Sequence, residues 1–187
     1  QVECRAIVIA DQFKSSDYVA MLNEIAPELG QSEPGALNAE RLPHLKHVIC
    51  TADEPVPGMF RFADINDAGT PDLKSRLPEI ARGLDPDDPI NIQFTSGTTG
   101  MPKGATLTHF NVVNNGFFVG RAMKFSEADR LCIPVPLYHC FGMVMGVLTC
   151  TTHGTAMIFP GEGFEPGDVL SAVNEEKCTA LHGVPTM

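Results

Sequence analysis

Thr95-Ser96-Gly97-Thr98-Thr99-Gly100-Met101-Pro102-Lys103-Gly104 is the stretch on which the reading of this chain turns. Upstream, Ile90, Ile92 and Phe94 alternate with Asn91, Gln93 and Thr95, the period-two pattern of a half-buried strand that ends where the hydroxyls begin. Gly97, Gly100 and Gly104 let the backbone take positive φ and let an anion approach the main-chain N–H groups. Thr95, Ser96, Thr98 and Thr99 can each donate a hydrogen bond to a phosphate oxygen, and Lys103 adds a mobile charge with three donors. Downstream, Thr108 is placed to cap a helix carrying Phe110, Val113 and Phe117 on one face. The expected order is therefore strand, loop, helix, the arrangement of a phosphate cradle.

A Walker loop needs lysine directly after glycine and before the hydroxyl that holds magnesium. Here Lys103 follows Pro102 and precedes Gly104, so no hydroxyl stands at the metal-ligand position. A flexible Gly/Thr-rich surface turn is the bland alternative, but turn composition does not call for a lysine placed after proline at the end of a ten-residue order.

With these residues in view, Thr95 to Gly104 resembles the phosphate-binding motif of the AMP-forming, adenylate-forming enzymes: acyl-CoA synthetases, luciferases and peptide-synthetase adenylation domains. Leu107-Thr108-His109-Phe110-Asn111 resembles that family's helix entry after the loop. Pro136-Leu137-Tyr138-His139-Cys140-Phe141-Gly142 resembles its next core segment, and Gly183-Val184-Pro185-Thr186-Met187 a later strand end of fatty acyl-CoA ligases. The first half of the chain matches only as a generic α/β region.

The resemblance implies an α/β fold of mixed, largely parallel sheets with covering helices, part of the large N-terminal domain of an adenylate-forming enzyme. Residues 1–88 would be its α/β lead-in region and residues 89–187 the ATP-phosphate loop and acyl-pocket region, with the small C-terminal domain absent. It implies Thr95, Ser96, Gly97, Thr98, Thr99, Gly100 and Lys103 as binders of the ATP phosphates, and Tyr138 and His139 as walls or gates of an acyl pocket. From the residues alone His139 is equally a core histidine bonded to backbone. ATP, magnesium and coenzyme A are the implied cofactors and co-substrates, and a fatty acid the implied carboxylic acid. No catalytic residue and no metal ligand is assigned within the span. The alternatives are a nucleotide-binding module without chemistry and a luciferase-like or peptide-synthetase adenylation domain.

Composition narrows the field. The 187 residues are 43% hydrophobic and 19% charged, within the range of a folded globular protein. A formal net charge of -10 argues against general nucleic-acid or anionic-membrane binding, both of which need a basic field, so a nucleotide must be held by local donors. Cys4, Cys50, Cys132, Cys140, Cys150 and Cys178 show no CxxC pair, which fits reduced thiols in the cytoplasm or a mitochondrial matrix better than a disulfide framework. His44 and His47 lack the acidic or cysteine partners of a metal site. The apolar run from Phe141 to Cys150 falls short of the about 18 residues a spanning helix needs, and its Gly142-x-x-x-Gly146 spacing suits a buried helix in close contact with a neighbour. Gln1 opens the chain without a methionine, so the lack of a visible signal peptide says little.

Along the chain, Arg5 to Ala10 reads as a strand and Asp17 as the cap of a helix with Tyr18, Met21, Leu22, Ile25 and Leu29 apolar. Leu45 to Thr51 reads as a second strand with Val48, Ile49 and Cys50 buried, parallel to the first. Residues 51–70 form a surface excursion pinned at Met59 to Phe62, and Thr70-Pro71 starts a helix with Leu73, Leu77, Ile80, Ala81 and Leu84 in one stripe, irregular at Pro78. Pro134 and Pro136 place the strand over Leu131 to Leu137 at an edge or near its end. Phe141 to Thr149 is expected as a buried helix and Thr155 to Phe159 as a strand. Asp168 to Lys177 is expected as a capped helix with Val169, Leu170 and Val173 inward, and Thr179 to Val184 as a last strand, an ending that reads as cut from a longer polypeptide.

Overall fold

The structure is a computed structural model that describes residues 2–65, 67–96 and 100–187. Its contacts separate into two compact units, Gln1–Arg82 and Gly83–Met187.

In the first unit, β1 (Ala6–Ile9) lies beside an antiparallel ribbon of β2 (Gln12–Phe13) and β3 (Ser16–Asp17) in sequence, and α1 (Tyr18–Ile25) follows. The carboxylate of Asp17 accepts from the Ala20 N–H at 2.8 Å, so the expected cap is the one observed. The helix stops at Ala26, before Pro27, and a 3-10 turn, Leu29–Gln31, carries the chain on. β4 (His47–Cys50) pairs parallel with β1, and β5 (Phe60–Arg61) parallel with β4. Leu22, Leu29, Leu37, Val48, Cys50 and Met59 make the core between sheet and helix. Ile49 is only half-buried, and Tyr18, Met21 and Ile25 stay exposed because α1 turns a single residue, Leu22, fully inward.

Residues 51–70 correct the expectation of a plain excursion. Phe60–Arg61 adds a sheet strand there and α2 (Phe62–Ile65) follows, with Phe62 exposed rather than pinned. Thr70 caps α3 (Pro71–Ser75), its hydroxyl accepting from the Leu73 N–H at 3.3 Å. The helix then breaks at Arg76 and restarts as α4 (Leu77–Arg82), since Pro78 has no N–H for the Lys74 carbonyl and its ring crowds that group. The stripe Leu73, Leu77 and Ile80 is exposed: three- and four-residue spacing puts residues on one face without supplying a partner for it.

The second unit opens with β6 (Pro89–Thr95) and β7 (Lys103–Thr108), paired antiparallel with Thr95 opposite Lys103. Helix α5 (His109–Met123) comes only after β7, so the order is strand, loop, strand, helix. Lys-Gly-Ala-Thr-Leu-Thr can take extended backbone, and pairing with β6 satisfies its main chain, which a loop leading straight into a helix would not. Ile90, Ile92 and Phe94 alternate as expected but are 45%, 44% and 47% exposed, because the two-stranded ribbon carries no second layer on that side.

The core of this unit is a parallel sheet in which β8 (Arg130–Cys132) lies between β9 (Ala156–Ile158) and β10 (Ala180–Leu181). β8 is thus central rather than at an edge. Its ladder closes before Pro134, the last donor being the Ile133 N–H to the Ile158 carbonyl at 2.9 Å. The prolines end the strand without displacing it from the middle. Leu131, Cys132, Ile133 and Val135 are all buried, as a parallel strand covered on both faces requires. β10 is shorter than expected, two residues in all.

Helix α7 (Pro166–Glu175) starts two residues before Asp168, with Pro166 in its first turn and Glu165 as a cap that makes no side-chain bond. Val169 packs inward, whereas Leu170 is 68% exposed, one position round the helix. Among the described residues no helix is long and apolar enough to cross a membrane. Cys50, Cys132 and Cys150 are buried and behave as small hydrophobes, and burial pushes the Cys150 thiol up to about 11.

Candidate functional site

Two elements of the second unit carry the residues singled out by sequence. The first is the β6–β7 turn. Thr95 ends β6, Lys103 begins β7, and the Thr95 hydroxyl reaches the Lys103 carbonyl at 3.5 Å, so hydroxyl and ammonium stem leave the ribbon side by side. Ser96 and Gly100 are exposed at the turn. Gly100 has φ +89, in the left-handed region where a side chain would be strained. Gly97, Thr98 and Thr99 lie outside the described residues. At its far end the ribbon passes into α5 through a capping box: the Thr108 hydroxyl accepts from the Asn111 N–H at 3.2 Å, and the Asn111 side-chain Oδ1 accepts from the Thr108 N–H at 3.0 Å.

The second element is the segment after β8. The chain turns at Pro136, whose carbonyl accepts from the His139 N–H at 3.2 Å, and Tyr138 stands 84% of its surface clear of the protein. His139 is exposed, and its Nδ1 accepts from the Phe141 N–H at 3.1 Å. An accepting Nδ1 places the ring proton on Nε2, which is left to donate outward. His139 is therefore not a core histidine, and it is already oriented by its own backbone.

From Phe141 to Leu148 the chain is a π-helix that runs on into α6 (Thr149–His153). Gly142, Val144 and Gly146 face inward. A Cβ on Gly142 would collide with the Pro136 carbonyl oxygen and stand 2.8 Å from its carbonyl carbon, so the close approach expected from the glycine spacing is real and is made to backbone. The buried face of α5 is Val112, Gly116 and Gly120, with Phe110, Val113 and Phe117 exposed, the reverse of the expected face. The glycines let α5 press against the π-helix and α6: a Cβ on Gly116 would meet Leu148 at 2.9 Å, and one on Gly120 the His153 ring at 2.5 Å. Backbone contact here outweighs the burial of three large side chains.

One residue at this site escaped sequence reasoning. His182 directly follows β10, is 6% exposed, and sets its ring against Phe141 at 5.1 Å between centroids. Its Nδ1 is buried without a hydrogen-bond partner. It borders a pocket of about 320 Å³ lined also by Pro134, Phe164, Val169, Leu181 and Met187, in which it is the only lining residue with a polar side chain. Phe141 thus contacts both histidines, His139 through its N–H and His182 through its ring, and His182 stands directly beyond a parallel strand, where open α/β sheets place their ligands. The signal available was the Leu-His-Gly run closing an apolar strand, which the glycine and proline after it overshadowed.

Burial lowers the basicity of the His182 imidazole below the ordinary histidine value of 6.5. An unfolded chain then takes up the proton first, so stability rises with pH across the interval just below that value and is lost as pH falls through it. Urea unfolding at about pH 8 and about pH 5.5 is expected to show a smaller loss on acidification for His182→Phe than for the parent chain. Parallel losses would mean that His182 does not titrate on unfolding.

Among the described residues no three His, Cys, Asp or Glu side chains stand together as a metal site. His44 instead lies 3.9 Å from Glu3, and His47 leans on the Phe60 ring.

Over its full length the chain is 45% identical to YngI of Bacillus subtilis, covering 34% of that protein. It is 44% identical to the zebrafish (Danio rerio) medium-chain acyl-CoA ligase ACSF2, mitochondrial, of which it covers 31%. The chain therefore spans about a third of the length of these relatives. MbtA of Mycobacterium smegmatis shares the fold, with a TM-score of 0.72 over 97% of this chain and 30% of its own, at 23% identity. The sequence model of the AMP-binding enzyme family matches residues 2–187, and with it the chain belongs to that family.

Proposed function

We propose that the polypeptide carrying this chain is an AMP-forming fatty acid–CoA ligase. The single observation that carries the reading is the Thr95–Gly104 motif, whose Thr95 and Lys103 face each other across a β-ribbon, in a chain of the AMP-binding enzyme family. A carboxylate oxygen attacks the α-phosphorus of ATP, the bond to the bridging oxygen breaks, and pyrophosphate leaves. The coenzyme A thiolate then attacks the acyl carbonyl and AMP leaves. Both steps build charge on phosphate, and fixed donors stabilise it as it forms.

In this reading Thr95, Ser96, Gly97, Thr98, Thr99, Gly100 and Lys103 hold the β- and γ-phosphates, and Tyr138 and His139 border the acyl group. Residues 1–88 serve as the lead-in and residues 89–187 as the phosphate-loop and acyl-pocket region of one adenylation domain. Magnesium would neutralise phosphate charge when bound with ATP; among the described residues no side-chain cluster fits it as a resident ion, and no ligand is assigned. The name of ACSF2 supports a medium-chain fatty acid as substrate and a mitochondrial matrix as one setting, the cytoplasm being the other. The net charge of -10 suits small-molecule partners better than nucleic acid.

Carboxylate-dependent exchange of pyrophosphate into ATP by the full-length polypeptide, without coenzyme A, tests the reading. Exchange with straight-chain fatty acids is the expected result. Exchange only with amino or aromatic acids would move the protein to another branch of the family, and ATP binding without exchange would leave a nucleotide-binding module.

A further inference from the structure

The inference rests on the proposed ligase reading and concerns what holds in place the helix that follows Tyr138 and His139. A π-helix forms one hydrogen bond from each N–H to the carbonyl five residues back, packs its axis less well than an α-helix, and occurs mostly as short segments at functional sites. A run from Phe141 to Leu148 needs something outside itself to stay in that register. The structure supplies one residue that touches both the run and its neighbour. Thr149 is fully buried at the point where the π-helix becomes α6. Its N–H reaches the Val144 carbonyl, the five-residue bond that defines the π register, and also the Gly146 carbonyl. Its hydroxyl lies 3.1 Å from that same Val144 carbonyl and 3.1 Å from the Gly116 carbonyl on α5. One hydroxyl proton is thus shared between the widened turn and the adjacent helix, and the glycine at 116 is what brings α5 within reach.

We propose that Thr149 is the positioning residue that locks the π register of Phe141–Leu148, and through it the length of acyl chain the site accepts. The register decides where the run's outward residues stand. Met143 and Val147 are half-buried and Met145 is exposed, whereas Gly142, Val144 and Gly146 are buried. It also fixes the start of the helix, where the Met143 N–H bonds the His139 carbonyl at 3.0 Å and the Phe141 N–H bonds the His139 ring. Relaxing one wide turn to an α-turn would shift the residues before it by about one position and rotate them by about 100°. The methionines and His139 would then face elsewhere, while the fold around Leu131 and Cys150 stayed intact.

The test uses the full-length polypeptide with Thr149→Val, which keeps the shape and removes the hydroxyl, and Thr149→Ser, which keeps the hydroxyl. Thr155→Val serves as a control, since it deletes a comparable hydroxyl bond, to the Ser126 carbonyl at 2.9 Å, away from the π-helix. The readout is kcat/KM for pyrophosphate exchange across a series of straight-chain acids. For Thr149→Val the preferred length should change, the ratio between neighbouring acids moving by about tenfold, the scale of one methylene in an apolar pocket. Thr149→Ser should keep the parent profile, and Thr155→Val should lower thermal stability without altering it. A Thr149→Val profile matching the parent or the control overturns the proposal. Should Thr149→Val not fold, Thr149→Cys decides, because a thiol fills nearly the same buried space but is a weak donor to the Val144 and Gly116 carbonyls. A shift in the same direction supports the proposal, and an unchanged profile rejects it. Absence of exchange with every acid in the parent polypeptide would instead remove the ligase reading itself, which these comparisons among active variants do not touch.

Discussion

Lys103→Ala is expected to weaken ATP binding by about ten- to a hundredfold, the worth of a charge-assisted hydrogen bond, while changing AMP binding by no more than about twofold. The asymmetry follows from the assignment: the lysine stands at the start of β7, across from Thr95, and is proposed to meet the phosphates beyond the α position. AMP has none there. Removing the ammonium should leave the ribbon intact, because residue 103 contributes to the ladder through its backbone and its side chain is exposed. Titration calorimetry with ATP and AMP on parent and variant separates the outcomes. Equal losses for both nucleotides would place Lys103 near the α-phosphate or assign it a structural part.

Gly142→Ala is expected to cost about 3 kcal/mol of stability, at the upper end of the range for overpacking, because the new methyl would fall on the Pro136 carbonyl rather than on a side chain able to rotate. Gly120→Ala makes the graded comparison. Its methyl would meet the His153 ring, a side chain that can turn aside, so the loss should be smaller. Urea unfolding of both variants measures this. A Gly142→Ala variant within about 0.5 kcal/mol of the parent would show that the π-helix can move away from Pro136 at little cost. Since Pro136 also accepts from the His139 N–H, a damaging substitution should reach the candidate site as well as the core.

Taken by itself, the sequence determined the features that depend on short-range chemistry. The Thr95–Gly104 motif, the caps at Asp17, Thr70 and Thr108 and the break before Pro78 all follow from residue type and spacing within a few positions. Hydroxyls and carboxylates reach N–H groups two or three residues away, whatever the rest of the chain does. Tertiary structure alone decided which faces are buried and what lies next to what. The large residues of α5 turn outward because Gly116 and Gly120 permit a backbone approach that Phe110, Val113 and Phe117 would block. The alternating face of β6 stays exposed because periodicity marks a face without providing its cover. β7 took the place of a direct helix entry because its main chain found a partner in β6, and strand pairing is a non-local bond that no window of sequence contains. His182 meets Phe141 across 41 residues of chain only because β10 lies beside β8. The π register of Phe141–Leu148 belongs to the same class, since it depends on a carbonyl of α5 that approaches Thr149 only in the folded protein.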